Sequence, residues 1–315
     1  MELVITDGFT VNPGDLSWDG IAQFGHLTVY ERTSQKEVFD RCRNANIILT
    51  NKVHLDQYLI ENAHSLKLIC VLATGYNIVD TRTAKKLNVP VCNVPVYGTM
   101  SVAQHTMALI LELANQAGLH NLSVHHGEWQ NAKDWSYSKT ELVELSGKKL
   151  GIVGLGHIGE QLARIARTFG MEILYYGPRN KQTILGDFTP LEKLFAEADI
   201  ISLHCPLTPE NVEMVNEKLI STMKTSAFLV NTARGQLINE IDLAHALNSG
   251  KIAGAALDVL AIEPPIKNNP LLSAKNCIIT PHNAWKTREA RIRILATTEE
   301  NIQKFLQNNP QNLVC

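Results

Sequence analysis

The chain has 315 residues, about twice the length of an ordinary domain, so two domains are expected. Its 29 Lys+Arg against 31 Asp+Glu leave a formal charge of -2, without the basic excess of a nucleic-acid or membrane-surface binder. Hydrophobic residues at 45% and charged residues at 19% exclude a disordered chain.

The opening MELVITDGFT has acids where a secretory signal would be basic, and it reads directly as a strand. Strands are expected over 3–6, 27–31, 47–50, 68–72 and 91–94, with helices over 55–63 and 81–87 between them. The runs IILT and LICVLA are continuously apolar, as in parallel strands buried on both faces. The first ~95 residues therefore read as a small α/β unit. Residues 101–117 form a long apolar helix, interrupted by Gln104, His105 and Glu112. No run of about 18 apolar residues occurs, so no membrane span is expected. Residues 120–144 are polar and irregular, and long for a connection, which marks them as functional, an interface or mobile.

A second α/β series follows, with strands over 150–154, 172–176, 200–205, 227–233, 254–259 and 276–280. One helix runs over 160–169 and stops at Gly170; another opens at Asn239, with Asp242 three residues on, and ends at 249–250. A last helix spans 287–308. Six scattered cysteines without a CxxC read as reduced thiols of a cytoplasmic protein, and no Cys/His spacing suits zinc.

Gly154-Leu155-Gly156-His157-Ile158-Gly159 fits GxGxxG between a strand and a helix. The first Gly permits the turn, the second lets a pyrophosphate approach the backbone, and the third allows close helix–strand packing. The helix start adds N–H donors for an anion. About 20 residues on, an acid would bind the ribose hydroxyl of NAD. Gly177 stands there instead, followed by Pro178, Arg179, Asn180 and Lys181. Without a carboxylate to repel it, a 2′-phosphate could pair with Arg179 and Lys181. NADP is therefore expected over NAD, with NAD binding left open.

Polar residues cluster where α/β sheets bind ligands, at the carboxyl ends of the second-series strands. They are His204-Cys205-Pro206-Leu207-Thr208, Asn231-Thr232-Ala233-Arg234-Gly235, Asp258 with Glu263 beyond it, and His282. An Arg there suits fork-like recognition of a carboxylate. A Glu beside a His can orient the imidazole and hold its proton. His105, His157 and His245 read as structural histidines.

The ordered set resembles the D-2-hydroxyacid dehydrogenase family over nearly the whole chain. It runs from Ala73-Thr74-Gly75-Tyr76-Asn77 through Asn93-Val94-Pro95, Ser101-Val102-Ala103-Gln104-His105-Thr106, GLGHIG, HCPLT, NTARG and the 258–265 segment to Pro281-His282-Asn283-Ala284-Trp285. The ATGYN loop and the Trp after the His are most similar to the hydroxypyruvate reductase, or glycerate dehydrogenase, branch. The resemblance implies two Rossmann-like α/β lobes with mostly parallel sheets. A cofactor domain, 99–285, would be inserted into a discontinuous substrate domain, 1–98 with 286–315. It also implies a homodimer joined through the cofactor domain, with the long helix 101–117 and the 120–144 arm in that role.

By the same resemblance, Arg234 would bind the substrate carboxylate, His282 would be the acid/base, and Glu263 would hydrogen-bond His282 and hold its proton. Backbone N–H groups of Thr74 and Gly75 would hold the carboxylate, and Tyr76 and Trp285 would shape the pocket. Thr232 and Asp258 would contact the nicotinamide end, while His157, Ile158, His204, Pro206 and Thr208 would line the rest of the cofactor site. The implied reaction is NAD(P)-dependent, reversible reduction of a small 2-keto acid, such as hydroxypyruvate or glyoxylate, to the D-2-hydroxy acid. A phosphoglycerate dehydrogenase-like enzyme and a cofactor-sensing, non-enzymatic interaction protein are the alternatives. Asn283 departs from the apolar residue that many relatives have there.

Overall fold

The computed structural model describes residues 1–181 and 183–315. These divide into two units, Met1–Gly98 with Lys286–Cys315, and Thr99–Trp285.

The first unit carries strands β1 (Glu2–Ile5), β2 (His26–Val29), β3 (Ile47–Thr50), β4 (Leu68–Val71) and β5 (Val91–Cys92) in the order β2-β1-β3-β4-β5. Every pairing is parallel. All four residues of β3 and of β4 are buried, which explains their unbroken apolar runs. Helices α1 (Gly8–Val11), α2 (Asp19–Ala22), α3 (Val38–Cys42), α4 (Gln57–Asn62) and α5 (Thr81–Lys86) connect them. Asp56 caps α4 through Leu59 N at 3.0 Å, and Asp80 caps α5 through Thr83 N at 3.0 Å. The first three helices are too short to leave a helical period in the sequence.

The C-terminal helix, Arg288–Leu306, belongs to this unit. Its buried Arg291 forks onto Asp15, with N–O distances of 2.6 and 2.7 Å. Asn301 donates to the Asn93 carbonyl at 2.9 Å.

The second unit contains α6 (Thr99–Asn115), α7 (Ala117–His125), β6 (Lys149–Val153), α8 (His157–Thr168), β7 (Glu172–Tyr176), β8 (Asp187–Phe188), α9 (Leu191–Glu197), β9 (Ile200–Leu203), α10 (Glu217–Ile220), β10 (Phe228–Asn231), α11 (Glu240–Asn248), β11 (Gly254–Leu257) and β12 (Cys277–Ile279). The sheet order is β12-β11-β10-β9-β6-β7-β8, all parallel. The order reverses between β6 and β9, the point where doubly wound sheets open a crevice for ligands. On one face, Ala103, Met107 and Ile110 of α6 pack with Leu162, Ala163 and Ala166 of α8 over Leu150 and Ile152. Burial of each such Leu or Ile contributes about 1.5–3 kcal/mol, so α6 is a fixed part of this core.

Three expectations need correcting. The helix expected over 101–117 ends at Asn115, where Gln116 enters the left-handed region at φ 45°. Residues 120–125, expected to be irregular, belong to α7. Leu119, Leu122 and Val124 of that helix are exposed, so no inward apolar stripe announced it. Asp242 does not close a capping box: Asn239 caps α11, and the Asp242 carboxylate accepts from Glu217 N at 2.8 Å.

Candidate active site

The glycine-rich turn sits at the switch point. Gly154 has φ 103°, open to glycine at low cost, and a Cβ there would lie 2.6–2.8 Å from the backbone of His204 and Cys205. A Cβ on Gly159 would lie 2.4 Å from the Gly154 carbonyl oxygen. These two glycines let strand, turn and helix close on one another. Gly156 is different, because nothing lies within 4 Å of its Cβ position. It is the N-cap of α8, whose first N–H groups, at His157 and Ile158, have no helical acceptor. A backbone gap at a helix start, with donors facing it, fits a pyrophosphate.

After β7 the chain folds back on the buried Tyr175 hydroxyl, which donates to the Lys181 carbonyl at 2.6 Å and accepts from Lys181 N at 3.0 Å. The Lys181 ammonium donates to the Leu155 carbonyl at 2.6 Å and pairs with Glu160 at 3.0 Å. The expectation that Lys181 would be available to a 2′-phosphate is therefore corrected: its charge is committed to the glycine turn. Arg179 is exposed and has no ion pair among the described residues. Space is open around the Gly177 Cβ position.

His204 follows β9. Its Nε2 lies 2.8 Å from the buried Ser202 hydroxyl, and its Nδ1 is sealed from solvent without a partner. Burial pushes its imidazole down to about 4 from an ordinary 6.5. Between those values the unfolded chain takes up a proton that the folded protein does not. Stability therefore falls as pH drops through this window, by at most about 1.4 kcal/mol per pH unit. Melting curves from pH 7 to 4 are expected to slope less in His204→Gln, and identical slopes would remove His204 from the acid response. The same loop continues through Pro206 and Thr208, both exposed, and Asn211 holds it by donating to the Pro206 carbonyl at 2.8 Å and accepting from Thr208 N at 2.7 Å.

The three residues expected to carry the chemistry lie on loops that touch. Gly235, next to Arg234, packs so closely that a Cβ would be 1.9 Å from the Leu260 carbonyl carbon. Gln236 adds a 2.8 Å bond to the Ala261 carbonyl. The Arg234 guanidinium folds onto the Ala233 carbonyl at 2.7 Å. Glu263 accepts from Leu260 N at 3.0 Å with one oxygen, and its other oxygen lies 2.5 Å from His282 Nδ1. A carboxylate only accepts, so Nδ1 carries the proton in that bond, and Nε2 lies on the opposite side of the ring from Glu263. His282 itself is in the left-handed region at φ 50°, with its N–H on the Asp258 carbonyl at 2.8 Å. Such a backbone costs about 1–3 kcal/mol and persists only where its surroundings hold it.

Asp258 does much of that holding. Its carboxylate, 1% exposed, accepts from the Thr280 hydroxyl at 2.6 Å, Asn283 N at 3.0 Å and Ala284 N at 2.9 Å. Only the backbone of Asn283 is engaged there and its side chain is exposed, so a polar residue is tolerated. Thr232 is buried, and its hydroxyl lies 2.9 Å from that of Thr106. Thr280 and Gly235 were missed in the sequence. The only signal for Gly235 was its place after the Arg, and Thr280 had none beyond preceding Pro281. In the first unit, Thr74 turns its hydroxyl to the Val94 carbonyl at 2.9 Å, Gly75 is half-buried, and Tyr76 is 42% exposed. Trp285 is buried at 8% exposure. Among the described residues no group of three His, Cys, Asp or Glu side chains is placed to hold a metal ion, and no helix is long and apolar enough to cross a membrane.

A dinucleotide turn served by the same sheet as a paired imidazole and carboxylate is the equipment of a nicotinamide-dependent oxidoreductase. Residues 107–284 match the family described as D-isomer specific 2-hydroxyacid dehydrogenase, NAD binding domain. The chain belongs to the D-2-hydroxyacid dehydrogenase family, a family of oxidoreductases. It is 43% identical to a hydroxypyruvate reductase of Blautia hydrogenotrophica, over 100% of this chain and 99% of that one. Among solved structures it is similar to an acyclic imino acid reductase in complex with NADPH and D-Arg, at TM-score 0.89 and 28% identity over 100% of both chains. A D-lactate dehydrogenase from Aquifex aeolicus, complexed with NAD and lactic acid, gives TM-score 0.86 and 29% identity over 100% of this chain and 99% of that one.

Proposed function

We propose that this protein reduces a small 2-keto acid, hydroxypyruvate or glyoxylate, to the D-2-hydroxy acid, reversibly, with His282 giving the proton. The observation that carries this is the 2.5 Å contact between His282 Nδ1 and Glu263. It supports Nε2 as the nitrogen turned to the substrate, and with both ring nitrogens protonated beside Glu263 the imidazolium can give its proton to the developing alkoxide. The reduced nicotinamide, when bound, supplies the hydride. Arg234 holds the substrate carboxylate and so sets the orientation of C2, the proximity contribution. We keep Thr74, Gly75, Tyr76 and Trp285 as proposed substrate contacts. Likeness to a hydroxypyruvate reductase across the whole chain supports the substrate class.

For the cofactor we favour NADP. The support is the open Gly177 where an acid would repel a 2′-phosphate, with the exposed Arg179 two residues on. Absorbance at 340 nm, followed with hydroxypyruvate, glyoxylate, pyruvate and phosphohydroxypyruvate against NADH and NADPH, tests both readings. The expected result is the highest kcat/KM with hydroxypyruvate or glyoxylate and NADPH. A higher kcat/KM with NADH overturns the cofactor preference, and no turnover of any keto acid overturns the enzyme reading in favour of a cofactor sensor.

We further propose a homodimer through the second unit, in the cytoplasm. Leu119, Leu122 and Val124 of α7, with Trp129 and Trp135 beyond it, are exposed, Trp135 by 93%, and exposed apolar groups near one another in sequence support an interface there. Light scattering is expected to give twice the chain mass, and Leu122→Asp with Trp135→Ala to weaken association by about 100-fold or more. A monomeric wild-type protein at micromolar concentration would sink this reading. None of the six cysteines is in a disulfide, although Cys92 Sγ donates to Cys70 Sγ at 3.4 Å, and this supports a reducing compartment.

A further inference from the structure

Counting protons around Asp258 leads to a residue that the reaction scheme does not use. Thr280 Oγ1 lies 2.6 Å from Asp258 Oδ1 and 3.1 Å from His105 Nε2. A hydroxyl has one proton and a carboxylate none to give, so Thr280 donates to Asp258. His105 Nε2 must then donate to Thr280. The direction of the chain is fixed: His105 to Thr280 to Asp258.

We propose that His105 is a positioning residue for the catalytic turn. This rests on the reading of His282 as the proton donor. Asp258 anchors three consecutive residues: its carbonyl takes His282 N, which also reaches the Thr280 carbonyl, and its carboxylate takes Asn283 N and Ala284 N. Thr280 and Asn283 share one oxygen, Oδ1. A Thr280 hydroxyl that is free to rotate would weaken the hold on that oxygen, leaving it to Asn283 N at 3.0 Å and the more distant His105 Nε2 at 3.5 Å, in a turn strained at φ 50°. His105 prevents the rotation. It can do so because α6 is pinned in the core by Ala103, Met107 and Ile110.

The next residue of the helix makes the same kind of tie. Thr106 gives its proton to the Val102 carbonyl at 2.7 Å, so Thr232 donates to Thr106. Thr232 stands two residues before Arg234. Two adjacent side chains of α6 are thus tied by hydrogen bonds, one to the segment of Thr280 and the other to that of Thr232.

Steady-state kinetics of the best keto acid, with folding checked by circular dichroism and cofactor Kd by fluorescence, tests this. His105→Ala and Thr280→Val are each expected to lower kcat about 10-fold, the scale of a small misplacement of the acid. KM and cofactor Kd are expected to stay within about twofold, since the role proposed for both groups is to position the turn rather than to bind a ligand. The double variant is expected to be no worse than the worse single one. His105→Gln and Thr280→Ser, which keep a donor and a hydroxyl, are expected to recover most of the loss. Wild-type kcat in folded His105→Ala or Thr280→Val, losses that multiply in the double variant, or a loss confined to KM would overturn the proposal. His282→Ala is run alongside: full turnover there defeats the assignment of the acid, whereas an inactive His282→Ala beside a normal His105→Ala defeats only the role of His105.

Discussion

Replacing His282 with alanine is expected to lower kcat by about 10²–10⁴-fold, the usual worth of a positioned general acid. Folding is expected to survive, because the His282 side chain is 27% exposed and, among the described residues, its ring bonds only Glu263, itself 35% exposed. The loss belongs to the chemical step, so KM should move little. Arg234→Ala separates the two contributions: it removes binding of the carboxylate, and it should mainly raise KM. Near-normal turnover in His282→Ala would mean that the proton comes from elsewhere.

Gly235→Ala is expected to be the more damaging change for the fold. The added carbon would sit 1.9 Å from a carbonyl carbon of Leu260 and 2.3 Å from Ala261 N. Backbone cannot swing aside as a long side chain can, so the two loops must part. A loss of about 2–4 kcal/mol is expected. Parting them also displaces the loop that carries Glu263, the partner of His282, so kcat should fall with stability. Thermal denaturation and kinetics of the same preparation check this, and an alanine variant with unchanged Tm and kcat would contradict the close approach.

Much of this was legible in the residues, for physical reasons that differ by element. The runs at 47–50 and 68–72 announced buried parallel strands because both faces are covered. Gly154 and Gly159 were legible because their backbones have no room for a Cβ, and Gly170 was a good stop because φ there is 75°. The two-residue strand β8 is exposed at both positions and carries no pattern. Helix α7 was missed because its apolar residues face outward. His105 looked like a structural histidine because its partner Thr280 is 175 positions away, beyond any local periodicity. Lys181 looked like a phosphate ligand because its bond to Leu155 spans 26 residues and two elements.

The bond between Arg291 and Asp15 joins residues 276 positions apart, and Asn301 reaches Asn93 over 208. During translation the first unit must therefore wait for its final helix until all of Thr99–Trp285 has been made. At about 5–20 residues per second that delay is roughly ten to forty seconds. For that time the face that receives the C-terminal helix is bare on the ribosome-bound chain. The N-terminal unit thus keeps part of its apolar surface in water until the C-terminal helix emerges, the period in which a chaperone would serve it.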